Sequence, residues 1–257
     1  MPRLRPALEA LLLALALAGC AGTPPAGPPL VAQAESEKPS LAIMGTIPIY
    51  WGEAAGVTEL IGGGANAHWA RAELERRYRL VPVDYLSEEA LAGQSRLLLA
   101  QPRGLTPEEN VALDAWVRQG GRLLLFTDPM MTGESRFGIG DRRRPQDVAL
   151  LSPILAHWGI ELQFDDMQDS GLATREIAGT PVPINLAGRF AVDADAANRC
   201  SLAAMSVFVE CELESGAIRA FADAAVLDFA GPWPGAGEAL EQFLDQAFGQ
   251  TGENAGR

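Results

Sequence analysis

The sequence predicts an α/β domain built on a doubly wound parallel sheet, on the basis of three observations. Continuous apolar runs alternate with amphipathic helical segments, the connections between them are short, and the helical segments carry start and stop signals. Strands that helices cover on both faces are apolar without alternation. Strand and helix in alternating order with short connections specify parallel strands joined by right-handed crossovers.

Four apolar runs predict strands, because each is short and is bounded by turn or helix residues. These segments are residues 41–50, 80–86, 96–102 and 122–129. The character of the chain changes after residues 160–166.

The helices are predicted from their caps and their apolar stripes. Asn66 is expected to cap a helix that runs to about Arg79, with Ala70, Leu74 and Tyr78 on its inner face. Thr106 begins a capping box with proline at the first helical position, and Gly120-Gly121 ends that helix. The inward face of this helix is predicted to be Ala112, Leu113, Trp116 and Val117. Two further helices are predicted at 147–158 and 236–248.

Residues 171–216 predict a β-rich insertion before the last strand and helix, since they hold short β-type segments among several prolines and glycines. The segments 207–214 and 217–229 are predicted to form a hairpin with Ser215-Gly216 as its two-residue turn. The last strand is expected to rejoin the main sheet.

The first twenty residues predict a secretory signal, because two arginines precede a short apolar run and small residues. Leu17-Ala18-Gly19-Cys20 is similar to the bacterial lipobox, in which the cysteine is acylated. The alternative is an ordinary signal cut after Ala18 or nearby. Residues 21–39 are rich in Pro, Ala and Gly and predict a disordered tether. Residues 40–250 then form one α/β domain, and 251–257 a flexible tail.

The charge and the cysteines bear on partners and compartment. The formal net charge is −13, and an acidic surface repels phosphate backbones, so nucleic acid is excluded as a partner. Acylation of Cys20 would leave an even pair of cysteines in an oxidising compartment, which predicts a disulfide between Cys200 and Cys211. The alternative is two separate buried thiols.

Three segments resemble a known family in their order and spacing. They are LDAWVRQGGRLLLFTDP at 113–129, ILAHWGIEL at 154–162 and AIRAFADAAVLD at 217–228. Together they resemble the ABC-type uncharacterised transport-system domain, known from gliding-motility auxiliary proteins and related envelope proteins. The resemblance spans most of Ser40 to Phe248. The gliding-motility proteins usually carry transmembrane helices, and none is predicted here after the signal.

The resemblance implies a flavodoxin-like, class I glutamine-amidotransferase-like sheet. It also implies a recognition or scaffolding role beside an ABC transporter or envelope machine, without chemistry of its own. Amidotransferase-like enzymes place a cysteine in a sharp turn after a central strand, where a nearby base lowers its pKa. The corresponding turn here, residues 127–130, holds no cysteine or serine. We therefore expect no enzyme activity, no cofactor and no metal.

A ligand crevice is predicted at the carboxyl edge of the sheet, where open α/β folds bind their ligands. Asp128 ends a buried strand there, and a glycine-rich loop before the first helix has amides suited to an anion. The alternatives are a turn aspartate bonded to its own backbone and a flexible connection. The predicted crevice residues are Glu53, Gly63, Gly64, Asn66, His68 and Asp128.

A basic cluster, Arg142-Arg143-Arg144, lies in the glycine-containing loop 130–146 and is predicted to bind an acidic partner or to close over the crevice. A solvated loop is the alternative. The sequence thus favours a non-enzymatic module anchored by lipid on the periplasmic side of a membrane. The alternatives are a hydrolase of unrecognised type that uses Asp128, Glu53 and His68, and a soluble periplasmic ligand-binding protein.

Overall fold

The computed structural model of the protein describes residues 38–54, 56, 58, 67–228 and 231–249. Several predictions fall on other parts of the chain. The signal with Cys20, most of the tether, the crevice residues Gly63, Gly64 and Asn66, and the tail at 251–257 lie outside the described residues.

The described residues form eleven strands, five α-helices and one 3₁₀ turn, which covers Ala225–Leu227. The helices are α1 (Trp69–Arg77), α2 (Glu88–Leu91), α3 (Pro107–Arg118), α4 (Ser152–His157) and α5 (Ala236–Phe248). The first five strands are β1 (Ser40–Gly45), β2 (Arg79–Pro82), β3 (Arg96–Ala100), β4 (Arg122–Phe126) and β5 (Ile160–Gln163). The remaining strands are β6 (Ala173–Ile177), β7 (Thr180–Ile184), β8 (Arg189–Val192), β9 (Cys200–Ala203), β10 (Phe208–Leu213) and β11 (Gly216–Phe221).

The main sheet has seven strands in the order β2-β1-β3-β4-β11-β10-β9. The first five of these neighbours are parallel, whereas β10 and β9 extend the sheet in antiparallel fashion. Two antiparallel pairs, β5 with β8 and β6 with β7, stand apart from it. The predicted α/β class with a mostly parallel sheet is therefore confirmed, and the last strand rejoins the sheet as expected.

The sheet separates two apolar cores, which explains why its strands are apolar without alternation. On β4, Leu124 and Phe126 face a core closed by α1 and α5, whereas Leu123 and Leu125 face a core closed by α3 and α4. Phe243 of α5 lies at the centre of the first core, with its ring 4.9 to 5.6 Å from three other phenylalanine rings. Each face of a central strand thus buries side chains, as covered parallel sheets require.

The helix starts were predicted with mixed success. The capping box at Thr106 is confirmed, since its hydroxyl accepts from Glu109 N and the Glu109 carboxylate accepts from Thr106 N. Asn66 as the cap of the first helix is wrong, because α1 begins at Trp69 and His68 is its N-cap. An imidazole nitrogen of His68 accepts from Ala70 N at 3.1 Å and so replaces the usual short oxygen side chain.

The hairpin between β10 and β11 is confirmed, but its turn lies one residue earlier than predicted. Leu213 pairs with Gly216, so the turn residues are Glu214 and Ser215, and Glu214 has a φ of 53°. Gly216 is needed for close packing instead, because a Cβ there would lie 1.8 Å from the carbonyl oxygen of Val117. The glycine lets β11 approach the end of α3.

The predicted disulfide between Cys200 and Cys211 is present. The two cysteines lie directly opposite each other on β9 and β10, with their Cα atoms 4.1 Å apart. This bond ties the edge strand of the sheet to its neighbour. Within the described part of the chain, no helix has the length and apolarity needed to cross a bilayer.

Candidate functional site at the carboxyl edge of the sheet

Four strands bring polar side chains to one edge of the sheet. Thr46 follows β1, Gln101 follows β3, Asp128 follows β4 by one residue, and Asp223 follows β11 by one residue. Because these strands are parallel, their carboxyl ends meet at the same edge. Gln101, Asp128 and Asp223 are almost completely buried, so their polar groups need partners within the protein.

Gln101 stabilises this edge through hydrogen bonds of its side chain to the backbone. Its amide nitrogen donates to the carbonyl oxygens of Asp128 and Gln146, each at 2.9 Å, and its amide oxygen accepts from Asp128 N at 2.7 Å. Its φ of 48° lies in the left-handed region, which is unusual for a residue with a side chain. Three hydrogen bonds compensate for this conformation and fix the turn after β4 to the loop around Gln146.

Asp128 and Asp223 each accept two backbone N–H hydrogen bonds, and each binds one residue at the start of the 3₁₀ turn. The Asp128 carboxylate accepts from Met130 N at 2.8 Å and from Ala224 N at 3.0 Å. The Asp223 carboxylate accepts from Ala225 N at 2.5 Å and from Asn185 N at 2.7 Å. The two carboxyl groups therefore hold together the ends of β4 and β11 and the start of the 3₁₀ turn.

Burial changes the ionisation of this pair. Removal from water raises the pKa of Asp128 to about 7, although hydrogen bonds from Met130 N and Ala224 N act in the opposite direction. The pKa of Asp223 is raised well above its ordinary value. Burial is the larger cause, and repulsion from the Asp128 charge is the second. Two buried carboxyl groups close to each other resist a double negative charge. We conclude that the pair retains a proton near neutral pH.

A cleft beside Asp128 is too small for an organic ligand. It is bounded by Ile47, Met131, Leu227 and Asp228 among others, and its volume is about 10 Å³. That is about the space that one water molecule requires, whereas small-molecule sites usually measure roughly 300–1,000 Å³.

His68 is occupied on both ring nitrogens. One nitrogen donates to the carbonyl oxygen of Leu227 at 3.0 Å, and the other accepts from Ala70 N. This pattern assigns the neutral ring, with the proton placed on the nitrogen that faces Leu227. Burial lowers the pKa of His68 to about 4, since desolvation outweighs the hydrogen bond to Leu227 and the nearby Asp228 charge.

Glu53 anchors the loop that follows β4. Its carboxylate accepts from the Ser135 hydroxyl and from Arg136 N, and its backbone oxygen accepts from the Arg136 guanidinium. In the described part of the chain, no hydrogen bond joins any two of Glu53, His68 and Asp128. Each of these three predicted residues therefore hydrogen-bonds to a different part of the chain. Within the same residues, no group of three or more His, Cys, Asp or Glu side chains is arranged to hold a metal ion.

The three predicted loop arginines are only partly available to a partner. Arg143 pairs with Asp141 at 2.7 Å and lies over the Phe137 ring, with 4.3 Å between the guanidinium carbon and the ring centre. Arg144 pairs with Asp147 at 2.9 Å and donates to the carbonyl oxygen of Phe137. Arg142 is exposed. Two of the three positive charges are therefore paired within the loop, which they help to fix.

Asp223 and Gln101 were not predicted from the sequence, and neither was Thr46. Asp223 follows an apolar strand in AIRAFAD just as Asp128 does in RLLLFTD, and Gln101 follows RLLLA. The same rule that selected Asp128, a polar residue at the end of an apolar strand, would have selected both. Their pairing required the strand order, which places β4 beside β11.

Fold and site together define an α/β domain in which buried polar side chains at the carboxyl edge of the sheet hydrogen-bond to nearby backbone groups. Residues 54–180 match the model of the family described as ABC-type uncharacterized transport system. The family predicted from the sequence is thereby confirmed for this segment, which spans somewhat less than half of the chain. A search of curated proteins gave no match.

Three solved structures resemble the chain at low sequence identity. The mmIFT52 N-terminal domain shows 11% identity and a TM-score of 0.49, covering 81% of this chain and 96% of that one. The cytoplasmic protein STM1381 from Salmonella typhimurium LT2 shows 11% identity and a TM-score of 0.47, covering 81% and 98%. The exo-β-1,4-mannosidase Op5Man5 from Opitutaceae bacterium strain TAV5 shows 11% identity and a TM-score of 0.43, and the match covers 83% of this chain. The present chain spans 35% of that mannosidase. These TM-scores are too low to support an inference about function.

Proposed function

We propose that the protein is a non-enzymatic recognition or scaffolding module of an ABC-type transport or envelope assembly system. In this proposal, a lipid on Cys20 holds it on the periplasmic side of a membrane. The observation that carries the non-enzymatic role is the bracing of the carboxyl edge. There Gln101, Asp128 and Asp223 bond to the protein's own backbone.

Acid and base catalysis requires a side chain within reach of the substrate and free to exchange a proton with it. Both oxygens of Asp128 and both ring nitrogens of His68 already have backbone partners. The adjacent cleft also has room for about one water molecule. These observations favour a structural role for the carboxyl edge. They do not favour a catalytic role.

The strand order supports a flavodoxin-like, class I glutamine-amidotransferase-like fold as part of the proposal. The parallel strands run β2-β1-β3-β4-β11, which corresponds to the order 2-1-3-4-5 of doubly wound flavodoxin-like sheets. The antiparallel strands β10 and β9 are then an addition at one edge, supplied by the β-rich insertion.

The disulfide between Cys200 and Cys211 supports a location outside the cytoplasm, because such bonds persist in oxidising compartments. The lipobox-like segment that ends at Cys20 supports attachment to the membrane.

Anchoring is tested by expressing the tagged protein in a bacterial host supplied with an alkyne fatty acid. The wild-type protein should become labelled and should remain with the membrane fraction. A Cys20→Ser variant should be unlabelled and should leave that fraction. Absence of label from the wild-type protein would refute the anchoring part of the proposal.

The transport role is tested by affinity purification of the tagged protein from detergent-solubilised native membranes. We expect an ATP-binding subunit or a permease subunit to co-purify with the wild-type protein and to be depleted with Cys20→Ser. If neither subunit co-purifies from membranes that contain the anchored protein, the association with a transporter is wrong.

A further inference from the structure

A second concave surface of the described residues lies away from the carboxyl edge. It is a groove of about 880 Å³ between the outer side of α3 and the segment that joins α2 to β3. We infer that this groove binds an amphipathic helix of a partner protein, one with an apolar face and lysine or arginine residues at its margins. This inference rests on the proposed recognition role and names the surface that performs it.

The shape of the groove fits a helix. The α3 residues that line it lie at spacings of three and one along the helix, which is one continuous face. That face is as long as α3, whose 12 residues extend about 18 Å at about 1.5 Å per residue. A partner helix of about three turns would match it, in the manner of helix-in-groove recognition. The α3 residues concerned are Pro107, Glu108, Val111, Ala112, Ala115 and Trp116, and Gln119, which caps the helix, continues the face.

The chemistry of this face is apolar and accessible. Val111 is 70% exposed, and Ala112 and Ala115 are half-buried beside it. Leu113 and Val117, which point into the core, are fully buried. The small alanine side chains allow another helix to approach closely, and Val111 offers a methyl surface that such a helix would remove from water.

One wall of the groove is preorganised. The Trp116 indole donates to the carbonyl oxygen of Gln94 at 2.8 Å. Its ring also lies against Gly121, where a Cβ would be 2.4 Å from a ring atom. The indole is therefore fixed before a partner arrives, which reduces the ordering that binding must impose.

The charges of the groove select a basic partner. Its charged lining residues are Glu88 and Glu108, in the first turns of α2 and α3, and the lining includes no lysine or arginine. Complementary charge directs association and disfavours acidic partners.

The test uses the mature protein and a fluorescent 14-residue Leu/Lys peptide designed as an amphipathic helix, with a Leu/Glu peptide of the same pattern as control. Fluorescence anisotropy should show binding of the Leu/Lys peptide and at least tenfold weaker binding of the Leu/Glu peptide. Val111→Glu should weaken Leu/Lys binding at least tenfold, whereas Val148→Glu, at an exposed site outside the groove, should change it less than twofold.

A second comparison separates the groove from the overall negative charge. The pair Glu88→Lys with Glu108→Lys should weaken binding at least tenfold. The matched pair Glu176→Lys with Glu238→Lys removes equal charge from exposed sites elsewhere and should have less than a twofold effect. Circular dichroism would confirm that each variant is folded. Equal losses in both pairs, or no binding of the Leu/Lys peptide, would overturn the inference.

The same variants distinguish this inference from the proposed function. If Val111→Glu abolishes co-purification of transport subunits from membranes while Val148→Glu does not, both are supported. If Val111→Glu retains them, the groove assignment is wrong and the transport role stands. If the wild-type protein retrieves none, the transport role itself fails, whatever the peptide result.

Discussion

The buried carboxyl group of Asp128 should make the protein less stable as the pH rises from about 4 to 7. Its pKa is 3.8 in the exposed reference state and about 7 in the fold. The folded state therefore holds more protons than the unfolded state in this window, and the free energy of unfolding falls with rising pH. A window of about three pH units, at about 1.4 kcal/mol per unit, gives up to roughly 4 kcal/mol.

Replacing Asp128 with Asn removes this titration. At pH 4 the variant should be about 1–3 kcal/mol less stable than wild type, because an amide nitrogen cannot accept one of the two backbone N–H bonds. As the pH rises to 7, the difference in unfolding free energy should shift in favour of the variant by up to roughly 4 kcal/mol, because only wild type has the titrating Asp128 carboxyl group. His68 contributes the opposite slope, since its lowered pKa gives stability that is present above about 6.5 and lost as the pH falls toward 4. Both proteins share His68, so its contribution cancels in the difference.

The assay is urea unfolding of the two proteins at several pH values from 4 to 8, followed by far-ultraviolet circular dichroism. Asp166→Asn, at an exposed turn, measures the general effect of removing one negative charge. We expect the difference in unfolding free energy between Asp128→Asn and wild type to change with pH. A change of less than about 1 kcal/mol between pH 4 and pH 8 would refute the assigned ionisation of the buried pair.

Three further changes test the packing. The double substitution Cys200→Ser with Cys211→Ser should reduce the free energy of unfolding by about 2–3 kcal/mol, because the unfolded chain without the disulfide gains loop entropy. Chemical denaturation would measure this loss, and an unchanged free energy of unfolding would contradict it. Glu109→Ala should cost about 2–3 kcal/mol, since it leaves Leu86 N and the Arg103 guanidinium without their carboxylate, whereas Glu108→Ala next to it should cost about 0.5 kcal/mol or less. Gly216→Ala should lower the melting temperature by several degrees through its contact with Val117 O, and an unchanged melting temperature would argue against that close approach.

Local signals in the sequence were sufficient for much of the fold. The helix at 236–248 was predicted with its observed bounds, because its apolar stripe and flanking glycines are unambiguous. The capping box at Thr106 was likewise predictable from four consecutive residues. The central strands of the parallel sheet were located because helices cover both of their faces and most of their positions are therefore apolar.

Features that depend on distant residues were not predictable in the same way. The role of Gly216 depends on the end of α3, which contacts it from nearly one hundred positions earlier in the chain. The turn was misplaced because glycine was taken as a turn signal. The partnership of Asp128 with Asp223 depends on β11 inserting beside β4, and no local pattern specifies that insertion. The groove beside α3 exists because α2 is only four residues long and leaves α3 partly uncovered.

The most direct test of the recognition role is photo-crosslinking in living cells, with benzoylphenylalanine placed at position 111 of the full-length protein. Position 148, also exposed but outside the groove, serves as the control. The account predicts that position 111 crosslinks to a subunit of an ABC-type transport system and that position 148 does not. Absence of any transport subunit among the crosslinks from position 111 would contradict it.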